Sequence, residues 1–442
     1  MTDSRGTFSS KTGFVLAAAG SAIGLGNIWR FPYVAGDNGG GAFLVLYLGF
    51  VFTIGLAVML AELAIGRASR RNPVGAFKAL KGGPWAAIGY MGVAAGFVIL
   101  SFYSVVGGWT LAYVAATLGP LLKSADAAAL GQYFKDFSAD PTRTIAYHAL
   151  FMALTILIVM GGIEKGIERA AKLLMPVLFV MLVALCIRAL TLPGAWEGVR
   201  FFLAPDWSKV TAGTAGAALS QAFFSLSLGM GALLTYGSYL SRKESLMQVS
   251  AWVTGLDTLI AMMAGMLILP AVFAFGFDPS AGPGLTFVTL PAVFAKMPGG
   301  AVFAPVFFIL LALAALTSAV SLLETVVAYF VDEKSRSRKP ASVATGVAIF
   351  ALGVPSALSL GPWADVMIFG KPFLGFADYL ATHLLLPLGG IGIAVFVGWI
   401  VAPRMLEEIA AGGPAGILAR LWLWLLRWAA PAAIAWVLIS GL

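Results

Sequence analysis

Cysteine and histidine are nearly missing from this chain. Among 442 residues there is one cysteine, Cys186, and there are two histidines, His148 and His383. A single thiol forms no intramolecular disulfide, and so few soft ligands build no His/Cys transition-metal centre. Charge is scarce too, at 11% of residues, where soluble chains carry roughly a quarter. That shortage excludes an ordinary soluble domain. The net charge of +8 raises the question of nucleic acid. The basic residues, however, fall in short segments between apolar runs and form no patch interleaved with aromatics. Also missing are a phosphate-cradling glycine loop, a nucleophile elbow and any convergent acid/base set of the kind an enzyme needs.

What is present is apolar: 60% hydrophobic residues and a mean hydropathy of +0.93. Runs of about 20 apolar residues read as eleven membrane spans. They lie near 12–36, 42–66, 86–119, 144–161, 167–190, 214–240, 247–276, 302–331, 341–360, 374–402 and 418–440. The first run resembles a signal peptide at its start, but polar Asn27 and Arg30 lie within it and it continues beyond them, so it reads as a span. With the N-terminus inside, eighteen basic residues fall in inner segments and eight in outer ones. This asymmetry predicts a multi-pass protein of the cytoplasmic membrane, N-terminus cytoplasmic and C-terminus outside. His148 and His383, single and near span ends, read as interfacial residues. The basic stretch Lys334, Arg336, Arg338 and Lys339 fits an inner loop or contact with anionic lipid.

Two spans are interrupted. Gly24-Leu25-Gly26 breaks the first and Gly229-Met230-Gly231 the sixth, about 205 residues apart. A helix opened inside a bilayer exposes N–H and C=O groups that lipid cannot satisfy, so such breaks mark places where something polar is held. Their positions suit corresponding elements of two internal repeats. Packing of small residues explains either glycine pair alone, and hydroxyl back-bonding explains Thr317 and Ser318 alone. Asn27, Ser225 and the mid-span acid Asp257 favour a polar site.

The run Gly20-Ser21-Ala22-Ile23-Gly24-Leu25-Gly26-Asn27-Ile28-Trp29-Arg30-Phe31-Pro32-Tyr33, followed by Asn38-Gly39-Gly40-Gly41-Ala42-Phe43, resembles the signature of the neurotransmitter:sodium symporter family. The resemblance continues through Gln221-Ala222-Phe223-Phe224-Ser225-Leu226-Ser227-Leu228-Gly229 and Ala314-Ala315-Leu316-Thr317-Ser318, and so covers essentially the whole chain. It implies an all-α polytopic protein, 1–442, with a LeuT-like inverted repeat of five plus five helices. The repeats would be 11–190 and 214–402, with an additional eleventh helix at 417–440. It also implies sodium-coupled symport of amino acids by alternating access. A non-transporting amino-acid sensor would share every binding residue and remains the alternative. Partners are then a small amino-acid substrate and the lipid bilayer, with no nucleic acid; oligomeric state is left open.

The resemblance also distributes roles. Substrate would meet Ala22, Gly24, Leu25, Gly26, Ile99, Tyr103, Phe224, Ser225, Ser227, Met230, Ser318 and Leu322. Broken-helix N–H groups and Tyr103 would hold its carboxylate, and free carbonyls its ammonium. Two Na+ sites are implied. One uses the Ala22 carbonyl, Asn27, Ser225 and Asp257; the other uses carbonyls of Gly20, Ile23 and Ala314 with Thr317 and Ser318. Monoamine-transporting relatives carry aspartate where this chain has Gly24, which points to substrates bringing their own carboxylate. The apolar pocket around Met230 suits hydrophobic or aromatic L-amino acids. Many relatives have asparagine at Asp257 and use chloride, or an acid one turn further along, where this chain has Ala261. Asp257 therefore implies chloride independence, and once Na+ has left it is a candidate to carry a proton back. Gates are implied at Arg30 with Asp378 outside and Arg5 with Asp332 inside, with Tyr239 and Phe8 nearby. Gly166 and Pro176, enclosing nine residues, resemble the family's unwinding element in the fifth span.

Overall fold

The computed structural model describes residues 6–123, 126–280, 282, 284–410 and 416–440. Most of them are helical, because a chain in hydrocarbon must satisfy its backbone hydrogen bonds within each segment. Among the described residues nine continuous helices are long and apolar enough to cross a membrane: Gly41–Ser69, Gly83–Leu118, Pro141–Met160, Ile163–Leu190, Leu246–Ala274, Gly300–Glu333, Arg338–Leu358, Phe373–Ile400 and Ile417–Ile439. These match nine of the expected spans. The other two are broken as expected. The first is Lys11–Ala22 followed by Gly26–Asp37, bent by 48°. The sixth is Ala212–Ser225 followed by Ala232–Gly237.

Burial separates the roles of these helices. In the eighth span, Gly300–Glu333, 83% of the most apolar window is buried, against 22% in the eleventh, Ile417–Ile439. The eighth span is thus a bundle core, packed most extensively along the third, and the eleventh is peripheral. The first span runs among the fifth, seventh and eighth, and the second half of the sixth packs on the second span. Both breaks therefore lie in protein, where polar backbone can be satisfied. Large apolar side chains that remain exposed, including Leu157, Val180, Ile187 and Trp424, fit hydrocarbon rather than water.

Shorter elements close the ends. Pro73–Leu80 starts at Asn72, whose side chain accepts from the Gly75 N–H, and has proline in its first turn where no donor is needed. A two-residue antiparallel ribbon, Met367–Ile368 with Lys371–Pro372, precedes the tenth span and is a small departure from an all-helical chain. The fifth span opens with a widened π-type turn, Ile163–Glu168, that contains Gly166. A Cβ on Gly166 would run into the Ile158 carbonyl, so glycine is needed for close approach as well as for opening the turn. Pro176 lies inside the helix that follows. His148 is fully buried in the fourth span, bonded to the Ser104 hydroxyl at 2.9 Å and tilted against Phe350, so it serves helix packing and is not interfacial.

Candidate functional site

The two breaks face each other. In the first, helix ends at Ala22, Ile23 turns extended, and regular winding resumes through a widened turn over Gly26–Arg30. In the sixth span the open stretch runs from Leu226 to Gly231, beginning three residues before the glycine pair. Ser227 is held in the left-handed region at φ 54, with Gly229 at φ 80 and Gly231 at φ 72. Such backbone at a non-glycine residue is costly and persists where the surroundings hold it. Here the Ser227 hydroxyl donates to the Ser21 carbonyl at 3.0 Å, tying one break to the other.

Asn27, Ser225 and Asp257, all fully buried, converge where the breaks meet. The Asn27 amide donates to Asp257 Oδ1 at 2.7 Å and to Ser225 Oγ at 3.0 Å, while its oxygen accepts from the Gly24 N–H at 3.1 Å. Tyr47 donates to Ser225 Oγ at 3.2 Å, and the Ser225 hydroxyl donates to Asp257 Oδ2 at 2.9 Å. Gln221 bridges outward: its amide donates to the Gly26 carbonyl at 2.7 Å and its oxygen accepts from Arg30 at 3.0 Å. A buried carboxylate is thus surrounded by neutral donors, with no cation among the described residues directly paired to it.

A second cluster is built only of neutral oxygens. Ser318 Oγ lies 3.4 Å from the Gly20 carbonyl, 3.0 Å from that of Ser21 and 3.3 Å from that of Ile23. Thr317 Oγ1 lies 2.9 Å from the Ala314 carbonyl and 3.3 Å from that of Ile23. The Thr317–Ala314 contact is ordinary back-bonding to its own helix. Ser318 instead reaches across to the first span, which back-bonding does not explain. Oxygen-only surroundings of this kind suit a hard cation and offer nothing to a soft one.

Above these clusters, a cavity of about 260 Å³ is lined by Leu25, Tyr103, Phe224, Trp109, Arg30 and Asp378 among others. The Tyr103 hydroxyl accepts from the Leu25 N–H at 3.1 Å, leaving its own proton to donate. A Cβ on Gly24 would collide with the Ser318 hydroxyl and come 2.7 Å from that of Tyr103; one on Gly26 would come 2.9 Å from the Phe224 ring. Ala22, Ile99, Met230 and Leu322 are buried and lie outside that cavity. Ile99 is one turn from Tyr103, and Met230 sits in the second break with its backbone against Gly92 of the third span.

The gates differ in part from expectation. Arg30 and Asp378 line the same cavity, but among the described residues they form no direct ion pair; Arg30 is turned to Gln221 and lies over the Phe224 ring at 4.9 Å. With Asp378 across the cavity and out of direct reach, the half-buried Arg30 takes a neutral acceptor and an aromatic ring instead. At the other end Arg5 lies outside the described residues. Asp332 accepts from the Asn72 backbone N–H at 3.0 Å and side chain at 3.2 Å. Tyr239 donates to Glu324 at 2.7 Å, and Glu324 is paired to Arg338 at 2.7 Å. Phe8 packs edge-on against Phe14, Tyr236 and Tyr239.

Three elements went unread in the sequence. Glu62, fully buried in the second span, accepts from the Gly229 N–H at 2.7 Å and the Leu234 N–H at 3.4 Å, and so satisfies backbone left open by the second break. The rule that singled out Asp257, an acid deep in an apolar run, applies equally to it. Glu324, fully buried, is paired to the partly exposed Arg338. Arg67, also buried, is paired to Glu408 at 2.6 Å and donates to the Glu244 carbonyl. Their partners lie on other helices, which hides them.

The family model described as "Sodium:neurotransmitter symporter family" matches residues 5–127 and 141–441. The chain belongs to this family. It is 42% identical over 98% of its length, and 97% of the relative's, to an "uncharacterized sodium-dependent transporter YhdH" of Bacillus subtilis. It is 38% identical, over 99% and 98% of the two chains, to an "uncharacterized sodium-dependent transporter" of Haemophilus influenzae. Among solved structures, MhsT in complex with L-phenylalanine superposes with a TM-score of 0.92 at 50% identity, covering 99% of this chain and all of that one. The symporter thus has the LeuT-like fold of five plus five helices with one more at the C-terminus, spans a membrane repeatedly, and is a sodium-coupled transporter rather than an enzyme.

Proposed function

We propose that this symporter carries hydrophobic or aromatic L-amino acids together with Na+, independently of chloride, by alternating access around the two breaks. The observation that carries the reading is the Asp257 carboxylate, buried beside Asn27 and Ser225 where the breaks meet. A fixed anion there balances Na+ and performs the part that chloride plays elsewhere. Asn27 now turns its amide nitrogen to Asp257; rotating the amide would offer its oxygen to the cation together with Ser225, Asp257 and the Ala22 carbonyl. Thr317, Ser318 and the carbonyls of Gly20, Ile23 and Ala314 form the second Na+ site.

The substrate carboxylate is received by N–H groups at Leu25 and Gly26 and by the Tyr103 proton, in the space that Gly24 leaves. Its ammonium meets the carbonyls of Ala22 and Phe224 and the polar backbone near Ser225 and Ser227. Ile99, Met230 and Leu322 surround the side chain, and Phe224 with Tyr103 separates it from the cavity above. Two features support aromatic cargo: the apolar, methionine-bearing lining, and the 50%-identical relative solved with L-phenylalanine. The Arg30–Asp378 mouth gates the outside, and Asp332 with Arg5, beside Tyr239, gates the inside. The repeats 11–190 and 214–402 would rock against each other, with 417–440 outside that motion.

Competition against a labelled amino acid tests the substrate class. L-tryptophan, L-phenylalanine and L-leucine should displace it from one site, and tryptamine, lacking the carboxylate, should not. Equal displacement by tryptamine and tryptophan would overturn the role given to Gly24 and Tyr103.

A further inference from the structure

A groove of about 570 Å³ lies between the body of the third span, the end of the eighth and the first half of the ninth, apart from the site described above. One wall is made by Phe97 and Phe330, the other by Pro340, Ala341, Ala344 and Ala348. The latter four share one helix face, and their short side chains leave a trough beside the two rings. From Pro340 to Ala348 the trough runs about 12 Å, most of the roughly 15 Å half-thickness of a bilayer's hydrocarbon. Val343 and Val347 on the flank of the same helix are exposed, so the trough opens sideways toward lipid.

The head of the trough is basic. Ser335 takes φ 50 and the Arg336 N–H returns to the Phe330 carbonyl at 3.2 Å, a tight turn that sets Ser335, Arg336 and Ser337 at the mouth. Among the described residues the Arg336 guanidinium has no hydrogen-bond or ion-pair partner, nor do the exposed ammonium groups of Lys334 and Lys339. Arg338 in the same stretch is committed to Glu324. The neighbouring acids are engaged as well, Asp332 with Asn72 and Glu333 with Lys78 at 2.9 Å. Unbalanced positive charge therefore sits where an apolar trough reaches the membrane surface.

We propose that this groove seats one acyl chain of an anionic phospholipid, with its phosphate on Arg336 and with Lys334 and Lys339 adding attraction. A soluble anion would leave the trough unused. An extended chain fits, and charge complementarity selects the headgroup.

Native mass spectrometry of the full chain in detergent, titrated with phosphatidylglycerol and with phosphatidylcholine of the same acyl chains, tests this. The wild type should retain phosphatidylglycerol at least about fivefold better, the factor expected from about 1 kcal/mol per basic residue at a membrane surface. Arg336→Gln should lower that preference about fivefold and leave phosphatidylcholine retention unchanged. Ala344→Phe, at an exposed position of the stripe, should lower retention of both lipids by filling the trough, and Ala348→Leu should reproduce it; thermal midpoints taken alongside confirm that each variant is folded. Equal retention of the two lipids by the wild type overturns the proposal. So does a preference unmoved by Arg336→Gln, or retention unmoved by both trough-filling variants. Displacement of phosphatidylglycerol by soluble glycerol phosphate would show a phosphate site without a chain, and overturns it equally.

Discussion

Replacing Asp257 with asparagine removes one charge and keeps the shape of the side chain. In the structure the carboxylate stands 2.7 Å from Asn27 Nδ2 and 2.9 Å from Ser225 Oγ, so a cation held among these groups lies within about 4 Å of it. At an effective dielectric constant of about 20, a unit charge at that distance contributes about 4 kcal/mol. Part of this is offset because the neutral amide no longer carries the cost of burying a charge. A net loss of about 2 kcal/mol follows, about a 30-fold weaker Na+ affinity. The assay is equilibrium binding of labelled substrate to purified protein, titrated with NaCl and with sodium gluconate. Wild type should give the same Na+ affinity in both salts. Asp257→Asn should be weaker in gluconate and partly restored by chloride, because the Tyr47 and Ser225 hydroxyls remain as donors beside the lost charge. An unchanged Na+ affinity in the variant, or wild-type binding that collapses without chloride, would refute the fixed-anion argument.

Two further substitutions probe the breaks. Gly24→Ala places a methyl group on the Ser318 and Tyr103 hydroxyls and should weaken substrate binding at least tenfold by isothermal titration, with helix content unchanged; affinity within twofold of wild type would show that the carboxylate lies elsewhere. Glu62→Gln turns one of the two oxygens that accept from the Gly229 and Leu234 N–H groups into an amide donor and should cost about 1–2 kcal/mol, the penalty of leaving a buried N–H without its acceptor. That loss is read as a lower thermal midpoint; an unshifted midpoint would mean the second break is held by other contacts.

Most of the architecture was legible because hydrocarbon permits few backbone solutions. Among the described residues nine of the eleven apolar runs became continuous spans and two became broken helix pairs, with ends displaced where glycine or proline blurs them; the eighth extends to Glu333, past its apolar core. The breaks were legible from glycine, though the second one starts at Leu226, three residues ahead of its first glycine. Asn27, Ser225 and Asp257 come together as their residue types suggested, and Ser318 reaches the first span. What escaped depends on side chains meeting across helices. Glu62 beneath Gly229, Tyr239 on Glu324, and Arg30 turned to Gln221 follow from the rotation and approach of whole spans, which periodicity in an all-apolar helix does not record. The buried His148 escaped for the same reason, since its partner Ser104 stands on another span.

Sodium-driven accumulation in proteoliposomes tests the central claim most directly. With the full chain reconstituted and Na+ imposed outside only, labelled L-phenylalanine should accumulate above its external concentration, in gluconate as well as in chloride. Equalising Na+ across the membrane, with no voltage imposed, should abolish accumulation while leaving exchange intact. Substrate that binds in a Na+-dependent manner but never enters the vesicles would contradict symport and identify a sensor; accumulation indifferent to the Na+ gradient would contradict the coupling itself.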